Sequence, residues 1–239
     1  MSEVLHVAIV VEGPTDYVVL TAAVEALLPG REIVFTQLQP KSSETLAPVG
    51  RETGLGWAGV YRWCRQASRE GGGRVSGSVL FGSHDVLIVQ VDADVAGKTY
   101  RSGHIEEDIQ DLPCERPCPP PSATTNALRQ VVLRWMGEAA VPAGCVLCTP
   151  SKSMEAWVIA ALFPNHRLLK QKGSGWECHA DPEAQLSQRP KKSRIRKTRK
   201  DYQSKSEEFV RAWPAVRKGL SEAKRFSKEL LAQIASKPQ

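Results

Sequence analysis

The chain has 239 residues, 41% of them apolar, enough to bury the core of one generous domain. No apolar run approaches the roughly 18–20 residues of a membrane span, the longest covering residues 7–11 and 156–163, so no membrane role is expected. The net charge of +6 is local, because residues 189–200 carry eight basic side chains and no acid and the remainder is slightly acidic, which predicts a polyanion docking at that segment and not a generally adhesive surface.

Met-Ser-Glu leads straight into a strand-like run, without the basic start and long apolar stretch of a secretory signal, and this sets a cytoplasmic address as the expectation. Residues 6–11 form a continuous β-branched run that stops at Glu12-Gly13-Pro14-Thr15, and residues 16–28 then carry helical apolar spacing up to Pro29-Gly30. A second strand is expected over 32–39 and a short helix over 56–66, followed by a Gly-rich stretch over 70–77. Residues 85–91 are again read as one largely apolar run, and it too ends in acid, at Asp92-Ala93-Asp94. A Pro and Cys loop over 114–122, a helix over 123–140, a fourth strand over 141–148 and a helix over 153–163 complete an alternating pattern. Alternation of this kind predicts an α/β fold with a mostly parallel, Rossmann-like sheet flanked by helices. Residues 164–200 lose the pattern and become polar and basic, and two helices are expected over 206–218 and 221–235. The expected division is therefore 1–163 as the main domain, with 164–239 as a basic segment and helical extension packed on it.

In an open parallel sheet, ligands gather beyond the carboxyl ends of the strands. Both acid clusters fall there. Glu12 closes the first strand and Asp16 lies four residues on, while Asp92 and Asp94, two apart in extended chain, are expected on one face. Carboxylates this close repel one another, and a hard divalent cation such as Mg²⁺ or Mn²⁺ suits an oxygen-only group. Each element also has a plainer reading: Glu-Gly-Pro-Thr-Asp as a turn and helix cap, Asp-Ala-Asp as a solvated loop.

The Val10-Val11-Glu12-Gly13-Pro14-Thr15-Asp16 element, followed by an apolar strand ending Asp92-Ala93-Asp94, resembles the Toprim domain of primases, topoisomerases and OLD-family nucleases. Ser153-Met154-Glu155 is similar to the Ser-x-Glu element of the OLD-type nucleases, and Ser-Met-Glu-Ala-Trp is similar to small stand-alone Toprim proteins, some found beside ATPases in phage-defence loci. About 75 residues separate the two acidic elements, more than in the compact form of that domain, which an inserted helix accounts for.

The resemblance implies Mg²⁺-dependent phosphodiester hydrolysis on DNA or RNA, with Asp92 and Asp94 as main metal ligands, Glu12 and Asp16 completing the cluster, and Ser153 and Glu155 on a second ion. It also implies a partner ATPase as an open possibility, since the chain has no P-loop of its own. Lys197 and Lys200 are candidates to offset charge developing on a phosphate, and Arg189, Lys191, Lys192, Arg194, Arg196, Lys197, Arg199 and Lys200 to bind the nucleic-acid backbone. Ser153 and Glu155 also fit an N-cap and a first-turn acid of their helix. A topoisomerase nucleophile domain or the partner domains of a primase do not fit in this length. A non-catalytic Toprim-like module that holds nucleic acid or a protein, and a toxin-like ribonuclease, remain alternatives.

Six cysteines in a chain of expected cytoplasmic address read as thiols or metal ligands and not as a disulfide framework. Cys114-x₃-Cys118 and Cys145-x₂-Cys148 could supply four thiolates to a structural zinc. The odd spacing of Cys145 and Cys148 within a strand points them to opposite faces, however, so buried free thiols are the expected state, and His179 beside Cys178 does not alter this.

Overall fold

The computed structural model describes residues 4–40, 55–166, 169, 176–190 and 194–236. Four strands, β1 (Leu5–Val10), β2 (Ile33–Gln39), β3 (Val86–Gln90) and β4 (Cys145–Cys148), pair in parallel in the order β2-β1-β3-β4. The α/β architecture is thus as the alternation predicts. Because β1 sends the chain outward to β2 while β3 sends it the other way to β4, the two central strands end side by side at the point where the topology reverses.

Period-two alternation divides the sheet into two apolar faces. Leu5, Val7 and Ile9 of β1, with Val86, Ile88, Val146 and Cys148, face helices α1 (Pro14–Leu27), α5 (Glu155–Leu162), α8 (Ser206–Gly219) and α9 (Ser221–Ala235). Ala8, Val10, Leu87, Val89, Cys145 and Leu147 face α2 (Gly56–Glu70) and α4 (Ser122–Met136), where Trp57, Tyr61, Tyr100 and Trp135 stack with centroids 5.3–6.3 Å apart. Trp157 of α5, Trp213 of α8 and Phe226 of α9 form the matching aromatic group on the first face. Residues 206–235 therefore complete the main core and do not build one of their own.

Several boundaries move for local reasons. The expected helix over 123–140 stops at Met136, because Gly137 takes φ +72 and the Gly137 and Glu138 amides turn back onto the Arg134 and Leu133 carbonyls. Gly137 has no room for a side chain: a Cβ would lie 2.0 Å from the Gly73 carbonyl oxygen. We expect Gly137→Ala to cost at least about 2 kcal/mol, from the left-handed backbone and that contact together, measurable by urea unfolding. A value below about 0.5 kcal/mol would contradict the tight approach of the two loops.

The fourth strand keeps only residues 145–148 of the expected 141–148, since Pro142 offers no amide and Gly144 has φ +73. At this sheet edge, buried Arg129 donates to the Leu147 carbonyl at 2.6 Å and grips Glu229 of α9 at 2.7 Å, while the Gln233 side chain accepts from the Gly144 amide at 2.8 Å. α9 thus shields the edge strand. Among its described residues the patternless segment holds two short helices, α6 (Pro182–Ser187) and α7 (Arg199–Gln203), started by side-chain caps from Asp181 and Thr198 respectively. A further single turn, α3 (Leu80–Ser83), precedes β3.

Candidate active site

β1 and β3 are in register from Val7↔Val86 to Val10↔Val89, so the residues following them emerge together. Gln90, the last residue of β3 and fully buried, joins the two ends: its Oε1 accepts from the Glu12 amide at 3.1 Å and its Nε2 donates to Asp92 Oδ1 at 2.8 Å. The Asp92 amide in turn donates to Glu12 Oε1 at 2.8 Å. Glu12 and Asp92 are locked into one closed ring of hydrogen bonds.

Asp94 departs from expectation. Residues 93–95 form a 3₁₀ turn in place of extended chain, pinned by the Ala93 amide on the Pro150 carbonyl (2.9 Å) and the Asp94 amide on the Lys152 carbonyl (3.1 Å). The Asp94 side chain is half exposed and pairs with Lys98 at 3.0 Å. It does not share a strand face with Asp92.

Asp16 sits buried in the first turn of α1, which Pro14 opens. Glu155, 1% exposed, opens α5. Its Oε1 lies 2.9 Å from Lys197 Nζ as an ion pair, and neither Oε1 nor Oε2 has a hydrogen-bond partner of good geometry among the described residues. The capping reading of Ser153 is overturned: Met154 holds the cap position, and the buried Ser153 hydroxyl caps nothing and has no hydrogen-bond partner among the described residues.

These groups act on one another through space. Burial, then the Asp94 charge, pushes the Glu12 carboxyl up to about 8. Burial and Glu155 push Asp16 up to about 7. Asp92 is held well above the carboxylate range by burial and by Glu12, Asp16, Glu155 and Asp94 together, so it occupies the electrostatic centre of the cluster. Burial works against the charge on Lys197, but Glu155, Glu183 and Asp16 outweigh it and hold the ammonium firmly protonated. Among the described residues, no three acidic, His or Cys side chains converge closely enough to grip one ion as they stand. Glu12 is turned onto the Asp92 amide.

Of the two lysines singled out, Lys197 reaches the cluster, bridging Glu155 and Glu183 at 2.9 Å each. Lys200 is exposed on α7 and forms no ion pair with the carboxylates among the described residues. Four arginines of the basic segment are anchored, not free. The Arg189 guanidinium lies 3.5 Å above the Phe163 ring, Arg194 donates to the Arg189 carbonyl, Arg196 pairs with Asp201, and Arg199 lies 5.3 Å from the Tyr17 ring. Lys191 and Lys192 lie outside the described residues.

The cysteine reading is corrected in part. Cys118 and Cys178 form a disulfide, with Cα atoms 5.4 Å apart. Cys145 and Cys148 are buried on opposite faces of the sheet, as their spacing predicts, so they cannot join Cys114 and Cys118 around one zinc. Cys64 is a buried free thiol and Cys114 an exposed one.

Three participants escaped the sequence reading: Gln90, Glu183 and Lys98. Gln90 left one signal, a polar residue inside an apolar run two positions before Asp92. Comparison with protein-family models, with curated proteins and with solved structures returned no match.

Proposed function

We propose that this protein hydrolyses phosphodiester bonds of nucleic acid with Mg²⁺ or Mn²⁺, at the cluster of Asp92, Glu12, Asp16, Asp94 and Glu155. The supporting observation is the crowding of like charge: four other carboxylates act on the buried Asp92, at the ends of the two central strands. Such a cluster is costly without a cation, and the donors are all hard oxygens. The partnerless Glu155 Oε2 and Ser153 Oγ are further oxygens that an ion could satisfy. Bound there, a divalent cation would acidify a water and offset charge developing on the phosphate oxygens. The chain's own part is positioning: Gln90 holds Asp92, Asp16 and Glu155 are fixed on the first turns of their helices, and Lys197 supplies a positive charge beside Glu155. Exposed Arg194, Arg196 and Lys200 give the segment contacts for a phosphate backbone without base readout.

The absence of a converged three-donor grip among the described residues favours a second reading, a non-catalytic module that holds nucleic acid or a protein partner. A cleavage assay on supercoiled DNA, single-stranded DNA and structured RNA, with Mn²⁺, Mg²⁺ or EDTA, separates the two. Metal-dependent cutting supports the first reading; binding without cutting under any metal supports the second.

The raised carboxyls give the cation-free protein a distinctive pH response. Between the unfolded values, near 4.5 for Glu12 and 3.8 for Asp16, and the folded values of about 8 and about 7, the native state holds protons that the unfolded state has released. Their contribution to stability is therefore complete below about pH 4 and is lost as pH rises through 7 to 8. The melting temperature in EDTA should fall between pH 5 and pH 8, and Mn²⁺ should raise it at pH 8 much more than at pH 5. Equal metal-induced shifts at the two pH values would count against cation binding by these carboxylates.

A further inference from the structure

Lys197 stands where a cation would. Its ammonium lies 2.9 Å from Glu155 Oε1, on a carboxylate only 1% exposed, and 2.9 Å from Glu183 Oε2 on the outer side. Glu155 is thereby ion-paired at Oε1, but neither of its buried oxygens has a well-formed hydrogen bond among the described residues, and Oε2 has no ion-pair partner either. We propose that Lys197 is a built-in counter-ion for Glu155, that a divalent cation binds in competition with it, and that Glu183 of α6 is the arm that holds and then receives the lysine. The proposal rests on the cation-binding reading above and assigns Glu183 a role.

Geometry makes the exchange a side-chain movement. The backbone around Lys197 is tied down, with the Arg196 amide on Asp201 Oδ2 at 3.1 Å and the Thr198 hydroxyl accepting from the Asp201 amide at 3.2 Å. Lys197 itself is about half exposed (46%), as is Glu183 (56%), and both line a cavity of about 200 Å³ together with Glu155, Arg194, Arg196 and Tyr202. A flexible four-carbon stem can thus leave Glu155 for this cavity while remaining paired with Glu183.

Charge decides the direction. An ammonium on one oxygen of Glu155 and a divalent ion on the other would sit within a few ångströms of each other behind protein walls, where like charges repel strongly. A +2 ion also offsets the neighbouring Asp92 and Asp16 charges better than a +1 ammonium does. Once released, Lys197 faces Arg194 and Arg196 across the cavity, a place where three cations could meet a phosphate.

The test measures Mn²⁺ affinity at pH 8 on the full chain, from the electron paramagnetic resonance signal of free Mn²⁺, for wild type, Lys197→Met, Lys197→Arg and Glu183→Gln. Removing the competing charge in Lys197→Met should tighten binding by roughly tenfold or more. Glu183→Gln, which takes away the carboxylate that receives the displaced lysine, should weaken binding severalfold. Lys197→Arg keeps a cation and should stay within about threefold of wild type. On a cleaved substrate, Lys197→Met should bind metal better yet cut more slowly. Unchanged or weaker Mn²⁺ binding in Lys197→Met, with wild type binding normally, would overturn the competition alone. Unchanged or tighter binding in Glu183→Gln would overturn its role as the arm that receives the lysine. If no variant binds Mn²⁺, the cation site itself is refuted and the competition falls with it.

Discussion

Asp92→Asn is expected to lower metal-dependent cleavage by 10²–10³-fold or more, on the order of what removing one well-placed charge-stabilising group costs, while leaving the protein as stable as wild type. Asp92 is the group on which the other carboxylates act, so its charge is the one a cation would use most. Asparagine has nearly the same shape, and its Oδ1 can still accept from Gln90 Nε2, the bond now 2.8 Å long. Without a cation, burial and like charges disfavour the ionised Asp92 carboxyl, so the neutral amide removes repulsion and introduces none. A melting temperature at pH 7 in EDTA equal to or above wild type, together with lost cleavage, is the expected pair of results. Retention of more than a tenth of wild-type cleavage would remove Asp92 from the chemistry.

Glu177→Ala should produce the largest loss of stability among the polar residues, about 3 kcal/mol, equivalent to roughly 6–12 °C in melting temperature for a chain of this size. Glu177 is fully buried, and its carboxylate accepts from the Ser221 amide and hydroxyl at 2.6 Å each and from the Glu222 amide at 2.8 Å. Those amides belong to the first turn of α9, whose own cap residue, Leu220, has no side-chain oxygen to offer, so Glu177 caps the helix from 44 residues away. Alanine would strand buried donors and empty the space. Glu177→Gln, which keeps an oxygen acceptor, should lose less. A loss below about 1 kcal/mol for the alanine variant would show that α9 is held by its apolar contacts alone.

Much of the fold was legible because its two central strands are almost wholly buried on both faces. The apolar runs at 7–11 and 86–89 read as interior, and the carboxylates that follow them had to lie at the carboxyl end of the sheet. Cys145 and Cys148 followed from the period of a strand. What stayed hidden depends on contacts between distant parts of the chain. The partners of Lys197 lie 14 and 42 residues away, and Lys197 and Glu183 themselves sit in a stretch whose polar composition read as loop. Asp94 was misplaced because the turn at 93–95 is imposed by the Pro150 and Lys152 carbonyls of another loop. The Cys118–Cys178 pairing could not be read from cysteine count or spacing, which leave connectivity open.

That disulfide also changes what a broken chain would look like. Cys118 and Cys178 are 60 positions apart, and the stretch between them contains β4, α5 and therefore Ser153 and Glu155. A protease cut at any peptide bond from 119 to 177 leaves two pieces still joined by sulfur. Such a nicked protein would run as one band on a denaturing gel until a thiol reductant is added, and the arm carrying Lys197 would leave with the C-terminal piece only after reduction.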